Sequence, residues 1–377
     1  MSAPTTTAGS PRIIRPSEDG GQDRGALVLR MRLPGSRRNR PRTLSGRLAT
    51  REMLVWSALA ALTAAVSFLA LMLGEIDYSP AQVVQALLGG GSPAAELFVV
   101  QFRLPRAVCA VVFGAMLGVA GALFQGITRN PLGSPDIIGF TASASAGGVA
   151  MLAFVGSGYY LVAAGALGGG FVVAGLILLL SRGGGVAGFR LVIAGIAISA
   201  MLASLQTWLV LSADLELAQV AALWSTGTLN GASFGYAGPA LLGGVLTLLL
   251  AIPVLGPRLG MLDLGDDAAA ALGLAPGRTR LLAIVTGVVL VALATSAAGP
   301  IAFVALAAPH IGRRLAGTAG TSLASSACAG AMVLASADLA AQHAVPGQSY
   351  PVGLVTVAVG GLYLISLIVQ ENRKGSL

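Results

Sequence analysis

Charged side chains are scarce in this sequence: Asp, Glu, Lys and Arg make up 10% of its 377 residues, against 55% for hydrophobic residues. A soluble domain typically carries about a quarter charged residues, which solvate its surface. So few charges exclude an ordinary water-soluble globule of this length. A surface that faces lipid has the opposite requirement, because lipid accommodates apolar side chains.

Lysine, histidine and cysteine are almost missing, which excludes several kinds of site. The one lysine, Lys374, follows no glycine loop, so the chain has no P-loop to bind ATP. The two histidines, His310 and His343, are predicted on opposite membrane faces, which excludes a metal-binding pair. Cys109 and Cys328 lie in apolar stretches and are expected to be inert buried thiols. We therefore expect no catalytic set, no metal and no cofactor.

Uncharged apolar runs of membrane-spanning length recur along the chain. A helix needs roughly 20 apolar residues to cross about 30 Å of hydrocarbon, and 53–73, 107–127 and 191–211 each supply such a run. The sequence predicts an all-α polytopic membrane protein with about ten helices, and 300–311 is the shortest of them. The predicted spans are 53–73, 107–127, 137–157, 160–180, 191–211, 236–255, 281–298, 300–311, 322–341 and 352–370.

The basic residues fall on one side of this membrane model. With the N-terminus inside, 21 of the 23 are cytoplasmic and only Arg103 and Arg106 are outside. This positive-inside bias orients the chain with both termini in the cytoplasm. It also supports the short eighth span, because Arg280 and Arg313 are both inside only if the chain crosses twice between them.

The net charge of +8 comes from the N-terminal tail, since residues 1–51 hold eleven arginines and three acids. The tail is rich in Pro, Gly, Ser and Thr and lacks apolar periodicity, so we interpret 1–52 as a disordered basic cytoplasmic tail. Its simplest role is anchoring on anionic lipid. Nucleic-acid binding is disfavoured, because no aromatic residue is interleaved with the arginines. The predicted ten-helix membrane domain then covers 53–370, and 371–377 is a short cytoplasmic tail.

Three connecting segments are too polar or too structured to be plain linkers. Arg103-Leu104-Pro105-Arg106 places two positive charges around a rigid turn on the outer face, although ordinary interfacial anchoring would also explain it. The second segment, 125–136, is cytoplasmic. In the third, 257–280, acids at a first turn and a following glycine predict a short helix from Asp266 to Gly273. That helix is a candidate docking element or an interfacial helix without a partner.

Asp338 is the one acid that the prediction places near membrane depth, at the outer end of the ninth span. An intramembrane acid is a functional candidate. A helix-end carboxylate that reaches water is an equal alternative.

Several of these segments resemble long motifs of one protein family. Residues 103–106 resemble RLPR, and 121–136 resemble GxxxQ followed by NPLAxPD. Residues 264–273 are similar to a cytoplasmic LG…A..LG loop, and 299–313 are similar to GPIxFVGLxxPHxxR. Together with Asp338 and Pro351-Val352-Gly353, they make the chain resemble the FecCD-type permeases of bacterial ABC importers for iron-siderophores, haem and vitamin B12, from about residue 53 to 370.

The resemblance implies a fold like that of the vitamin B12 importer permease and a set of partners. These are a second permease subunit, a cytoplasmic ABC ATPase dimer and an extracytoplasmic substrate-binding protein, in a bacterial cytoplasmic membrane. It assigns binding-protein docking to Arg103, Arg106 and position 342. ATPase coupling is assigned to Asp266, Asp267, Leu272, Gly273, Leu274 and Arg278. Structural or gating roles are assigned to Gln125, Asn130, Pro131, Pro135, Gly299, Pro300, Pro309, His310, Arg313, Asp338, Pro351 and Gly353.

The sequence departs from the family pattern at three places. Gln342 stands where the family often has arginine, Ser349 replaces an acid, and Gly360-Gly361-Leu362 replaces a Gly-x-Pro. The first two departures alter the outer charge pattern. The expected function is an ABC importer permease without ATPase activity of its own, with a ferric siderophore as first choice of cargo and haem or cobalamin as alternatives. An ion-gradient-driven transporter would need charged or coordinating groups in mid-span, and an intramembrane enzyme would need a catalytic set at one depth.

Overall fold

The computed structural model describes residues 26–32, 43–156, 158–180, 188–318, 320–345 and 348–375. The chain divides into two units, Met1–Ala58 and Leu59–Leu377. In the first unit, strands β1 (Ala26–Arg32) and β2 (Thr43–Ala49) pair antiparallel. These strands lie in the tail for which composition predicts disorder, so the structure differs from that expectation at 26–32 and 43–49.

Helices make up nearly all of the remaining described chain. They are α1 (Thr50–Met72), α2 (Pro80–Leu87), α3 (Pro93–Ala95), a π-helix (Glu96–Arg103), α4 (Leu104–Thr128), α5 (Pro135–Ile138), α6 (Phe140–Phe154), α7 (Tyr159–Leu180), α8 (Gly188–Ser212), α9 (Leu215–Ser225), α10 (Phe234–Leu262), α11 (Asp266–Ala271), α12 (Pro276–Ala298), α13 (Val304–Ala316), α14 (Leu323–His343) and α15 (Val352–Gly375).

Each of the ten predicted spans coincides with a helix. Within the described residues, seven helical segments are long and apolar enough to cross a membrane, and Phe140–Phe154 and Val352–Tyr363 are shorter apolar helices. The eighth predicted span is α13, which begins at Val304 rather than at residue 300. The third is divided into α5 and α6 at Gly139, whose φ of 91° interrupts the helix. The chain is a multi-pass integral membrane protein of the predicted class.

Helix α4 lies at the centre of the second unit and packs against α10, α12, α13 and α14. Nineteen of its 25 residues are buried, including Phe113, Met116, Leu117 and Phe124. This burial agrees with its composition, because a helix that is apolar on all sides rather than on one face is typically buried. Two of the polar segments singled out from the sequence, 103–106 and 125–136, lie at the two ends of this helix.

The connection between α1 and α4 is itself folded, which the sequence did not predict. Helix α2 begins with a capping box, in which Ser79 and Gln82 each accept from the other's backbone N–H. Tyr78, Val83 and Val99 are buried in a small hydrophobic cluster there. The segment from 73 to 103 therefore has a packed core of its own on the outer side.

Candidate functional site

We keep the orientation given by the charge bias and name helix ends outer or cytoplasmic accordingly. At the outer end, Arg106 of α4 and Asp338 of α14 form a two-point ion pair. The Arg106 Nε donates to Asp338 Oδ1 and Oδ2 at 3.1 and 3.0 Å, and Nη2 donates to Oδ1 at 2.8 Å. The Asp338 side chain is only 3% exposed. The alternative in which this carboxylate reaches water is therefore wrong.

Gln342 completes this outer cluster. Its Nε2 donates to Asp338 Oδ2 at 2.8 Å from one turn further along α14. Position 342 carries a neutral glutamine instead of the arginine frequent in the family, and its amide still donates a hydrogen bond to the carboxylate. The structure thus brings together Arg106, Asp338 and Gln342, three residues that the sequence analysis singled out.

Arg103 is separate from this cluster and organises the outer connection instead. Its guanidinium donates to the carbonyls of Leu71, Met72 and Ile76 at 2.9, 3.1 and 2.7 Å. It also lies over the ring of Tyr78, with 5.3 Å between Arg103 Cζ and the ring centroid. The last carbonyls of a helix have no partner within that helix, and Arg103 satisfies two of them at the end of α1.

Backbone contact joins α4 to α14 below the outer cluster. A Cβ added at Gly114 or Gly118 would overlap the carbonyl oxygens of Gly330 and Ser326, respectively, and one at Gly330 would overlap that of Gly114. Small residues spaced four apart allow membrane helices to approach in this way. Gly114 and Gly118 therefore form a helix-packing surface against α14.

A polar network lies at the cytoplasmic end of α4. Gln125 is buried, and its Nε2 donates to Leu306 O at 3.1 Å while its Oε1 accepts from Arg313 Nη2 at 3.1 Å. The Arg313 Nη2 also lies 3.3 Å from His310 Nδ1, and His310 Nε2 lies 2.9 Å from Pro131 O. These contacts tie α13 to the end of α4 and to the segment after it.

The motif segment after α4 is a compact turn. Asn130 Oδ1 accepts from Leu132 N at 2.9 Å, and Ser134 caps α5, in which Pro135 is the first residue. A polar cleft of about 320 Å³ lies beside this turn, lined by Gln125, Gly126, Arg129, Asn130, Pro131, Asp263, Arg313 and Thr321.

The predicted cytoplasmic helix is present as α11 and starts at Asp266 as expected. It stops before Gly273, whose φ is 84°, and Leu274 N donates to Ala269 O at 3.0 Å to close the end. Leu272 is 61% exposed, and Asp267 and Arg278 are exposed as well. Leu272 directly follows the last residue of α11 and is accessible to contact with another protein.

Asp266 differs from its neighbour Asp267 because two arginines bind it. Arg129 Nη2 and Arg280 Nη2 each donate to Asp266 Oδ1 at 2.7 Å. Its hydrogen bond from Arg280 and the charges of both arginines outweigh partial burial and lower the pKa of the Asp266 carboxyl. Asp266 is therefore ionised at neutral pH.

Non-helical backbone segments come into close contact at three helix ends, which are the end of α9, the end of α12 and the start of α15. A Cβ at Gly299 would overlap Trp224 O, one at Gly353 would overlap Thr226 O, and one at Gly227 would overlap Pro300 O. Gly353 N also donates to Gly227 O at 2.9 Å, just after Pro351. Non-helical backbone in a membrane protein is tolerated where it is buried in protein or lines a cavity. The glycines at 299 and 353 are required by these close approaches.

Pro309 has a related role inside α13. It has no N–H, so the carbonyl of Ala305 loses its usual helical partner. Gly121 of α4 lies directly against that carbonyl, where any Cβ would overlap it. The close contact between α4 and α13 is thus made by Gly121 and the carbonyl of Ala305, four residues before Pro309.

Asp136 is a residue that the site prediction missed. Its Oδ2 accepts from the N–H of Phe303 at 3.1 Å, and its Oδ1 accepts from Thr141 at 2.6 Å. Phe303 has a φ of 68°, a left-handed conformation that is unusual for a residue with a side chain. It lines an apolar cavity of about 320 Å³ between α13, α14 and α15. The Pro-Asp pair in the motif was the available signal.

Metal-ligand chemistry finds no support in the described part of the chain, which contains no group of three His, Cys, Asp or Glu side chains able to hold an ion. The polar residues instead bind one another and the ends of helices. This arrangement holds the ends of neighbouring helices together.

The chain matches known proteins over most of its length. The model of the FecCD transport family matches residues 62–370. The ferric enterobactin transport system permease protein FepG of Escherichia coli (strain K12) is 44% identical over 301 residues, which is 80% of this chain and 91% of that protein.

Two further relatives are named for other iron chelates. The Fe(3+) dicitrate transport system permease protein FecD of Escherichia coli (strain K12) is 37% identical, over 72% of this chain and 84% of that one. The iron(3+)-hydroxamate import system permease protein FhuG of Bacillus subtilis (strain 168) is 33% identical, over 85% of this chain and 98% of that one.

A solved structure has the same fold. An inward-facing conformation of a metal-chelate type ABC transporter superposes with a TM-score of 0.73 at 26% identity, covering 84% of this chain and 99% of that chain. The helix arrangement described above is therefore that of an ABC transporter of this type.

Proposed function

Because the chain belongs to the FecCD transport family, we propose that it is the permease subunit of a bacterial ABC importer, which moves a ferric siderophore across the cytoplasmic membrane. The energy comes from ATP hydrolysed by a separate ATPase subunit. The observation that carries the proposal is the combination of a family match over 62–370 with a formed cytoplasmic helix, α11, that presents Leu272 outward.

The names of the relatives support a ferric chelate as the cargo. Identity to the enterobactin permease is 44%, compared with 37% and 33% for the dicitrate and hydroxamate permeases. This favours a ferric siderophore, with haem or cobalamin as alternatives within the family. The test is uptake of radioactive iron into proteoliposomes that hold the permease with its ATPase and binding protein. Ferric enterobactin, ferric citrate, haem and cobalamin are offered separately, and the cobalamin carries a cobalt label.

The same assay separates the importer from an ion-gradient-driven transporter. We expect uptake to require ATP on the ATPase side of the vesicles and to survive a protonophore and a sodium ionophore. Uptake that continues without ATP and stops with the ionophores would overturn the proposal.

Coupling to the ATPase is assigned to α11 and its flanks. Proline cannot adopt the φ of 84° found at Gly273, because its ring holds φ in the negative region. We expect Gly273→Pro and Leu272→Asp to leave the protein inserted in the membrane. Both should abolish transport-linked ATP hydrolysis. Gly273→Pro removes the turn that ends α11, and Leu272→Asp removes the exposed apolar contact. Wild-type hydrolysis in both variants would contradict the assignment of α11.

Docking of the binding protein is assigned to the outer face. The internal contacts of Arg103 and Arg106 favour a role in shaping that face over direct contact with acidic groups of the partner. We therefore expect Arg103→Glu with Arg106→Glu to weaken docking at least tenfold at low salt, together with a loss of thermal stability. Loss of docking at unchanged stability would indicate direct contact instead.

A further inference from the structure

We propose that Arg129 is a positioning residue that fixes α11 to the cytoplasmic end of α4, so that a displacement of α11 is passed directly to the central helix. Arg280 is the second anchor. The inference rests on the proposed function, in which α11 receives the movement of an ATPase.

The contacts of Arg129 connect three elements through one side chain. Its Nη2 donates to Asp266 Oδ1 at 2.7 Å and to Leu262 O, the last residue of α10, at 3.1 Å. Arg280 near the start of α12 donates to the same Asp266 oxygen at 2.7 Å. The first residue of α11 is thereby held from α4 and α12, and Arg129 also bridges to the end of α10.

The backbone of Arg129 is unusual in a way that suits this role. Arg129 caps the end of α4 with a φ of 49°, a left-handed conformation that helices most often give to glycine. A residue with a side chain is disfavoured there, and such strain persists where the surroundings fix it. Glycine would end α4 more readily but would reach neither Asp266 nor Leu262.

Apart from the contacts of Asp266, helix α11 packs against its neighbours in the chain, α10 and α12. It has six residues, of which only Ala269 is buried. By contrast, α4 is bound along its length to α13 through Gln125, to α14 through the glycine crossing, and to Asp338 at its outer end. A residue that links α11 to α4 therefore links it to a helix that is mostly buried and bound to several others.

The ion pair between Arg129 and Asp266 fixes the orientation of α11 and contributes little to the free energy of folding. The Arg129 and Asp266 side chains are 49% and 43% exposed, and exposed ion pairs contribute little to folding. Removing Arg129 should thus leave the fold intact while α11 loses its fixed orientation.

The first experiment measures the position of α11 directly. Spin labels are placed at Ala268 on α11 and Leu315 on α13, after Cys109 and Cys328 are replaced by alanine. We expect a narrow distance distribution in the parent protein, a clearly broader one for Arg129→Gln, and a narrow one for Arg129→Lys, which keeps the charge. The control is Arg258→Gln on the same face, a cation without an ion pair among the described residues. An unchanged distribution for Arg129→Gln would overturn the proposal.

The second experiment measures function with the ATPase partner in lipid nanodiscs, using the binding protein loaded with ferric enterobactin. The complex with Arg129→Gln should keep the basal rate of ATP hydrolysis and the KM for ATP. Its stimulated rate should fall at least tenfold. Arg129→Lys should recover much of it. A mobile α11 combined with wild-type stimulation would also overturn the positioning role. Failure of the parent protein to show stimulation would count against the proposed function alone, since the distance measurement needs no partner.

Discussion

At the scale of single residues, Arg106 and Asp338 depend on each other. Their side chains are 15% and 3% exposed. Removing one partner of a buried ion pair leaves the other charge without compensation. We expect Arg106→Gln and Asp338→Asn each to lower the unfolding free energy by about 3 kcal/mol.

The double variant is the control for that pair. Arg106→Gln with Asp338→Asn should cost clearly less than the two single changes added together, because no lone charge remains buried. Unfolding in mixed detergent and lipid micelles provides the measurement. Strict additivity would show that the two side chains do not act as a pair.

Asp266 predicts a particular pH dependence. Its pKa is lowered in the folded protein, so the ion-pair stabilisation is complete above the ordinary carboxyl pKa and is lost only as pH falls through the lowered value. The distance between labels at 268 and 315 should therefore be constant from about pH 8 to pH 5 and broaden only in stronger acid. Asp266→Asn should give the broad distribution at every pH. Broadening already near pH 6 would contradict the lowered pKa.

At the scale of helices, the α4–α14 crossing should not tolerate even a methyl group. Gly118→Ala places a Cβ on the Ser326 carbonyl, and such overpacking typically costs about 1–3 kcal/mol. Gly168→Ala in α7 is the matched control, because nothing lies within 4 Å of a Cβ there. Equal melting temperatures of the two variants would show that the helices can separate without cost.

The sequence predicted helices better than it predicted contacts. Length and apolarity gave the ten spans, and the acids and glycine at 266–273 gave α11. Local patterns could not show that Arg103 satisfies carbonyls at the end of α1 or that Arg106 pairs with Asp338, 232 residues away. Asp136 was missed for the same reason, because its partner Phe303 is 167 residues distant. The left-handed φ of Phe303 also has no simple sequence signal. The family resemblance supplied the motifs but not their partners.

At the scale of the whole molecule, the ten-span arrangement makes a simple prediction about orientation. A reporter fused after Leu377 should be cytoplasmic, and one inserted near Gly235, at the start of α10, should be outside. The reason is that 21 of 23 basic residues then lie inside. A C-terminal reporter found outside would require an odd number of crossings and would contradict the model.

The glycine crossing has a further consequence for how the molecule can move. No side chain stands between α4 and α14 there, so the two helices could swivel about this point without any change of rotamer. The Arg106–Asp338 ion pair lies nearer the outer ends of the two helices than this crossing does. It opposes such a rotation, because rotation would pull its three hydrogen bonds apart. While these hydrogen bonds are made, they favour a tilt of α4 and α14 as one unit over a rotation of one helix against the other.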